Sequence, residues 1–507
     1  MGTEREIKLE AGPSFRLPPL QDVANQITAR RLVTVRQRAI YLDTDDLRLA
    51  RNGITLRHRT ETARGKRQES WTLKLPEAAD GVAMVRQEVS WPGTPDTVPP
   101  EAAALVRAIT RGAPLAPVAT VETQRSRVQL RDGAGRAVAE VDDDRVVAID
   151  RNGRDSRFRE IEVELADGAP PGILDAVRDR LLRAGATPGS SQPKVFRALG
   201  PRAQEPPDVV VPKLDRKATL RDVVAASIAE GVSTLVRHDP GIRLDNDIEN
   251  VHKARVATRR LRSDLRTFRA VLDRGWANRI RGELRWLAAG LAEVRDADVL
   301  MEELRRQAAS LPKGDAAKAN AILAQLTADR QRAQQRLLKI LDSDRYLGLL
   351  NDLTVAAANP PFERSDVDPG AAARSVLPGL VRRQWKRLRR TVRDLGDQPS
   401  DEDLHTVRKR AKAVRYAAEV AGPVIGKPAW KLARAMENLQ EVLGELHDAI
   451  VAEAWLRRAG TKSKASRALV AGELIELERK RQATYRSAWP KAWRKAADKR
   501  LRAWTKS

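Results

Sequence analysis

The run His252-Lys253-Ala254-Arg255-Val256-Ala257-Thr258-Arg259-Arg260-Leu261-Arg262, with Arg266 one turn further on, sets the organisation of this 507-residue chain. At about 100° per residue, His252, Arg255, Arg259, Arg262 and Arg266 share roughly 80° of helix circumference, so the spacing predicts a helix with one cationic stripe. His405, Arg408, Lys412 and Arg415 repeat that stripe, each 153 positions after its counterpart. A register used twice marks an internal repeat, and hence a helical second half made of two similar units.

The repeat reaches beyond the stripe. Leu291-Ala292-Glu293-Val294-Arg295-Asp296-Ala297 corresponds to Leu443-Gly444-Glu445-Leu446-His447-Asp448-Ala449, offset by 152. Each unit therefore holds a basic helix followed by a Glu and an Asp, and two bundles facing each other across a pseudo-twofold is the simplest arrangement. A basic stripe is ordinarily a solvated helix face laced with ion pairs. Here the residues four beyond Arg255 and Arg262 are Arg259 and Arg266, so like charges repel unless an anion neutralises them. Glu293, Asp296, Glu445 and Asp448 fit a structural role, pairing with the basic residues and orienting them. His252, His405 and His447 sit among Arg and Lys without a carboxylate pair at ligand spacing on the same stripe, which favours hydrogen bonding to phosphate over metal ligation. The eight tryptophans past residue 270 read as core or interface. Thr219 before Asp222 and Ser400 before Asp403 read as helix starts, Gly275 and Gly422-Pro423 as stops.

Charge separates the two halves. The formal net charge is +25; residues 1 to 200 hold 32 Lys+Arg against 28 Asp+Glu, leaving +21 for residues 201 to 507. Such an excess suits nucleic acid, inorganic polyphosphate or an acidic membrane. Aromatics are only 4% of the residues and are nearly absent from the stripes, which argues against nucleic acid, whose single strands are usually met by stacking platforms. There is no cysteine, so disulfides and thiolate metal sites are excluded. No export signal or run of about 18 apolar residues is visible, and the expectation is a cytoplasmic protein of undefined oligomeric state, without a membrane partner.

Residues 1 to about 200 alternate with period two. Glu4, Glu6 and Lys8 are interleaved with Arg5 and Ile7, Arg57 and Arg59 with Leu56 and His58, Glu160, Glu162 and Glu164 with Ile161, Val163 and Leu165. Thr72/Lys74, Arg86/Glu88, Arg125/Arg127 and Glu140/Asp142/Asp144 follow the same rule. One strand of this kind is a sheet with a wet face. Eight or so point to a barrel that turns its ionic face inward and packs its apolar face under helices. Cations beside clustered carboxylates suit a short phosphate chain, with Lys and Arg on the phosphate oxygens and the acids holding Mg²⁺ or Mn²⁺.

Glu4-Arg5-Glu6-Ile7-Lys8 resembles the E-x-E-x-K signature of the CYTH family, the triphosphate tunnel metalloenzymes. Tyr41 to Thr44, Leu56 to Arg59, Thr72 to Lys74, Arg86 to Glu88, Glu140 to Asp144 and Glu160 to Leu165 follow in that family's order. The resemblance implies an eight-stranded antiparallel tunnel with flanking helices that hydrolyses triphosphates. It implies Glu4, Glu6, Asp142, Glu162 and Glu164 as metal ligands or water-positioning groups. Lys8, Arg57, Arg59, Lys74, Arg86, Arg125 and Arg127 are implied as phosphate ligands, and Glu88, Glu162 and Lys74 as catalytic. Lys194 joins the phosphate ligands, although Ser191-Gln192-Pro193-Lys194 departs from the usual Ser-Lys pair.

The second half resembles the CHAD family through His252, Arg255, Arg259, Arg260, Arg262, His405, Arg408, Lys409, Lys412, Arg415 and Tyr416. That resemblance implies an all-α domain of two pseudo-symmetric bundles that binds inorganic polyphosphate with these residues and Arg266, and it allows association with polyphosphate granules. The expected division is a tunnel at residues 1 to 200, a stiff Pro-rich connector at 201 to 215 and the helical domain at 216 to 507. The function expected is metal-dependent hydrolysis of inorganic triphosphate. A non-catalytic polyphosphate-binding scaffold is the alternative, and nucleotide cyclisation ranks last.

Overall fold

A computed structural model describes residues 2–76, 84–190, 192–363, 367–461 and 464–506, with the side chains of residues 2–4 and 84–86 outside the description. The chain divides into two compact units, Met1–Asp208 and Val209–Ser507.

The first unit holds β1 (Gly2–Glu10), β2 (Thr28–Arg31), β3 (Val35–Asp43), α1 (Arg48–Arg51), β4 (Thr55–Ala63), β5 (Lys66–Pro76), β6 (Met84–Pro92), α2 (Pro100–Thr110), β7 (Ala116–Arg131), β8 (Ala137–Asp150), β9 (Asp155–Leu165), α3 (Gly172–Arg183), β10 (Thr187–Pro188) and α4 (Phe196–Leu199). All pairings are antiparallel, in the order β1-β6-β5-β4-β3-β7-β8-β9, and β9 pairs again with β1. Eight strands thus close on themselves, and closure leaves no edge among them. The sheet counts ten strands because β2 adds to β7 and β10 to β1, two short additions outside the ring.

The barrel is inside-out, as the alternation requires. Ile7, Leu9, Val141, Ile161 and Val163 point outward and bury against Ile173, Val177 and Leu181 of α3. On another flank Val121, Val146 and Ala148, which stand on the same strand faces as Arg125 and Asp144, form a second apolar cluster with Val195 and Phe196. At roughly 25 cal/mol per Å² of apolar area, these apolar clusters supply the drive to fold, leaving the rest of the lumen to carry charge. Residues 201–204, read above as the start of a stiff connector, form a 3-10 turn with Ala203 buried in that flank. Asp208 pairs with Arg111, so the first unit runs past residue 200.

The second unit is helical: α5 (Leu220–Leu244), α6 (Ile248–Thr267), α7 (Arg274–Ala308), α8 (Lys313–Leu341), α9 (Asp344–Ala358), α10 (Ala373–Arg393), α11 (Asp401–Ile425), α12 (Lys427–Thr461), α13 (Ala465–Ala496) and a closing 3-10 turn, Lys499–Thr505. Thr219 and Ser400 cap α5 and α11 with reciprocal side-chain bonds to Asp222 and Asp403. The two expected stops are not stops. Gly275 lies in the first turn of α7, which Asp273 caps. Gly422 and Pro423 lie within α11, which ends at Gly426 with φ +85°; near a helix end the missing proline N–H forfeits a single bond.

A reciprocal pair of backbone bonds marks the pseudo-twofold. Leu220 N donates to Ala371 O at 2.9 Å and Ala373 N to Ala218 O at 3.0 Å. Residue 371 is 153 positions after 218, and 373 is 153 after 220, so each bond is the other's image. No helix among the described residues is long and apolar enough to cross a membrane.

Candidate functional site

Register brings the ionic faces of the eight strands together. Across β1 and β9, Glu6 faces Glu164 and Lys8 faces Glu162; across β8 and β9, Glu140 faces Glu164, Asp142 faces Glu162 and Asp144 faces Glu160. Like charges directly opposite destabilise a sheet, so these acids need cations among them. The cations enter from β1, β7 and the segment before α4. Lys8 Nζ lies 2.9 Å from Glu162, 3.5 Å from Glu6 and 3.8 Å from Glu160. Lys194 Nζ lies 2.6 Å from Asp144 and 2.9 Å from Glu162, and Arg125 reaches Asp142, Asp144 and Glu162 at 2.5, 2.7 and 2.7 Å.

The lumen is a cavity of about 380 Å³ whose wall includes Glu6, Lys8, Arg57, Arg59, Lys74, Glu88, Arg125, Arg127, Asp142, Glu162, Glu164 and Lys194. Twelve of the expected tunnel residues therefore meet in one place. The other two, Glu4 and Arg86, hold facing positions on β1 and β6, and their side chains lie outside the described residues. Lys74 bonds Glu88 at 3.1 Å and Arg127 bonds Glu140 at 2.6 Å; Arg57 Nη1 donates to Tyr41 Oη at 3.2 Å. Glu140, Asp144, Glu160 and Tyr41 complete the ionic set without having been assigned to it. The first three stand on the same alternation that singled out Asp142, Glu162 and Glu164, so the signal was present. Tyr41 alone needed coordinates.

The acids are not equivalent. Burial raises the Glu162 carboxyl, but Lys194, Lys8 and Arg125 outweigh it and hold Glu162 well below the usual carboxylate range. Burial pushes Asp142 up to about 8, with Arg125 opposing and Asp144 and Glu140 adding to the rise. Burial likewise takes Glu160 to about 7 against Lys194 and Lys8. Glu164 is raised by burial and makes no ion pair among the described residues. Burial works against the Lys8 ammonium, yet Glu162, Glu6 and Glu160 hold it above the ordinary lysine range.

Among the described residues no three His, Asp or Glu side chains close on one point as a ready metal cage. The donor chemistry still fits a hard divalent ion. Mg²⁺ is usually held by one or two carboxylates together with substrate phosphates. Glu6 and Glu164 are such a pair, with Asp142 Oδ1 in the same lumen lacking any hydrogen-bond partner.

In the second unit α6 and α11 pack together, and the two stripes meet where Arg259 Nε donates to Tyr416 Oη at 2.6 Å. Lys412 is half-buried near Arg259, Arg408 and Arg255; burial first, then these three charges, pull its ammonium down to about 6. Burial and the neighbouring His447 take His405 down to about 4, the two rings stacking with centroids 4.4 Å apart. His252 is lowered by burial and by Arg295, the repeat counterpart of His447. The acids of the turns behave as orienting groups: Asp296 pairs with Arg255 at 3.0 Å, Glu293 with Arg336 and Glu445 with Arg481. Not every expected cation is equally available. Arg415 is committed to Glu419 and Glu437 at 2.6 and 2.7 Å, Arg260 lies 3.6 Å from Glu419, and exposed Lys409 lies 3.6 Å from Glu402.

The family model of the CYTH domain matches residues 2–192 and that of the CHAD domain residues 226–457. Two proteins of Mycobacterium tuberculosis, Uncharacterized protein MT2285 and Uncharacterized protein Rv2226, are each 31% identical over 479 residues, 88% of this chain and 87% of theirs. Among solved structures, PptA from Streptomyces chartreusis is 26% identical with a TM-score of 0.44, covering 55% of this chain and 100% of that one. The CHAD domain from the plant Ricinus communis is 22% identical with a TM-score of 0.46, covering 57% and 96%.

Proposed function

The chain belongs to the family that joins a CYTH domain to a CHAD domain, and on that premise we propose a metal-dependent triphosphatase fused to a polyphosphate-binding module. The tunnel hydrolyses inorganic triphosphate or another triphosphate compound with Mg²⁺ or Mn²⁺, and the helical unit binds inorganic polyphosphate. CYTH domains as a class are triphosphate tunnel metalloenzymes that use divalent cations. The observation that carries the reading is the closed ring of eight strands whose lumen holds both signs of charge. A pure anion binder gains nothing from buried carboxylates.

Within the lumen, Lys8, Lys194 and Arg125 gather around Glu162, and Arg57, Arg59, Lys74 and Arg127 line the same cavity. A triphosphate replaces part of the carboxylate charge on these cations, so its phosphates are bound by groups already in position. Glu6 and Glu164, with Glu4 on the same face of β1, would hold the divalent ion. Held there, a divalent ion would supply neutralisation of phosphate charge and a water acidic enough to ionise near neutral pH. Asp142, whose Oδ1 has no hydrogen-bond partner among the described residues and whose carboxyl, raised to about 8 by burial, is ionised only in part near neutral pH, would accept the proton from that water in its ionised form. Glu162, shared by three cations, orders them and is not free to ligate.

The test is phosphate release by the full-length protein from triphosphate, ATP and long polyphosphate with Mg²⁺ or Mn²⁺, compared with Glu164→Gln and Asp142→Asn. Both variants should lose about 100-fold or more in rate while still binding triphosphate. Absence of release by metal-loaded wild-type protein overturns the proposal.

In the helical unit the support is the paired stripe. Lys412, Arg255, Arg259 and Arg408 act on one another with Asp296 and Asp448 near them, an excess of positive charge that a phosphate chain relieves.

A further inference from the structure

The pseudo-twofold supplies an internal control. Positions related by the repeat occupy the same place in each bundle, so a difference in charge between them is a difference in what that place does. The buried faces confirm the alignment: Ile280, Leu284, Leu287 and Leu291 of α7 match Leu432, Met436, Leu439 and Leu443 of α12.

Beside the second stripe the charges are balanced. Arg415 is held by Glu419 on its own helix and by Glu437 on α12, and these acids also approach Arg260 and Arg434. The counterparts in the first repeat are Arg262 for Arg415, Arg266 for Glu419, Arg285 for Glu437 and Arg281 for Ala433. Both acids have become arginines. Across the axis, Arg410 stands on α11, which packs on α6, and Arg387 on α10, which packs on α11; burial first, then their charges, lower the Arg266 guanidinium. The residues related to those two are Ala257 and Thr234. One flank therefore gathers six arginines, while its image holds one arginine, two glutamates, two alanines and a threonine.

None of the six makes an ion pair among the described residues. Arg281 donates only to Asn278 of its own helix, at 3.4 Å, and its Nε is buried without a partner. Arg262 and Arg266 of α6 and Arg281 of α7 are each half-buried, and Arg285 of α7 and Arg387 of α10 are exposed; α6 packs on α7 and α11, and α10 packs on α11. Such a cluster costs folding energy unless an anion takes the place that Glu419 and Glu437 fill on the other side.

We propose that Arg262, Arg266, Arg281, Arg285, Arg387 and Arg410 form a phosphate-chain subsite on the first-repeat flank alone. A chain seated between α6 and α11 continues over this flank and not over its pseudo-symmetric image, so a nearly symmetric module binds its ligand one-sidedly. This rests on the reading of the α6–α11 stripes as a polyphosphate groove.

The test makes the flanks alike. Arg266→Glu with Arg285→Glu installs on the first flank the acids found on the second, and Arg262 then gains the partners that Arg415 has, so the fold is supported. The reciprocal variant, Glu419→Arg with Glu437→Arg, builds the cluster on the second flank. Retention of inorganic polyphosphate of graded length is measured against salt, with thermal unfolding as the check on folding. The first variant is expected to weaken long chains at least tenfold, to spare chains too short to leave the central groove, and to lower the log–log salt slope by about 1.4, two contacts at about 0.7 each. The second is expected to tighten long chains. Equal affinity of wild type and both variants for every length overturns the one-sided subsite and leaves the central groove standing. Wild-type protein that retains no chain of any length overturns both.

Discussion

Glu162→Gln tests whether one carboxylate organises the tunnel. In the wild type it lies 2.9 Å from Lys8, 2.9 Å from Lys194 and 2.7 Å from Arg125. Glutamine keeps the volume and removes the charge. Taking one partner from a buried ion pair costs about 3–5 kcal/mol. The three cations retain other acids, Glu6 and Glu160 for Lys8, Asp144 for Lys194, Asp142 and Asp144 for Arg125, which places the cost near 3 kcal/mol. In a unit of this size each kcal/mol moves the transition by roughly 2–4 °C, so the midpoint of the first unit should fall by about 6–12 °C. Triphosphate puts negative charge back among the same cations. Saturating triphosphate without metal should therefore raise the variant's midpoint more than the wild type's and recover at least half of the gap. Calorimetry of the full chain reads both numbers. A variant that melts within 2 °C of wild type, or one that triphosphate does not rescue, refutes the hub.

Three further outcomes are expected. Asp142 and Glu160, raised to about 8 and about 7, bind protons more tightly folded than unfolded; stability of the first unit should therefore decline as pH rises from about 4 to about 8 and level off above that, while metal-free triphosphate affinity falls as the two groups ionise at about pH 7–8, as calorimetric titrations from about pH 4 to 9 would record. Lys412, lowered to about 6, is neutral in the empty groove at pH 7.5 and charged beside a phosphate chain; binding should take up about one proton, seen as buffer-dependent heats, and Lys412→Met should abolish the uptake while stabilising the free unit by on the order of 2 kcal/mol. Thr219→Ala and Ser400→Ala should each cost about 1 kcal/mol in thermal unfolding, because each removes a reciprocal cap.

Much of this was legible in the chain because charged and apolar residues alternate along the stretches of strand that hold the site, as in Glu160 to Leu165. Ile161 and Val163 could only face outward if Glu160, Glu162 and Glu164 faced in, and eight such strands demanded closure. What alternation cannot give is register between strands far apart in sequence. That Glu162, rather than Glu164, would be shared by Lys8, Lys194 and Arg125 depends in part on the pairing of β1 with β9, across more than a hundred residues. The proposed placing of the divalent ion at Glu6 and Glu164, with Glu162 among the cations, follows from that register. Short additions such as β10 leave no period to detect. Pro423 misled because proline was weighed as a helix breaker without regard to its place in the final turn. The arginines at 266 and 285 were visible all along, but only the repeat alignment against Glu419 and Glu437 gives them meaning.

The most direct test of the central claim is phosphate release from inorganic triphosphate by full-length protein loaded with Mg²⁺ or Mn²⁺, run beside Glu6→Gln and Glu164→Gln. The account predicts metal-dependent turnover in the wild type and loss of about 100-fold or more in either variant, with triphosphate still bound by the lumen cations. Turnover that persists in both folded variants, or its absence from metal-loaded wild type, contradicts it.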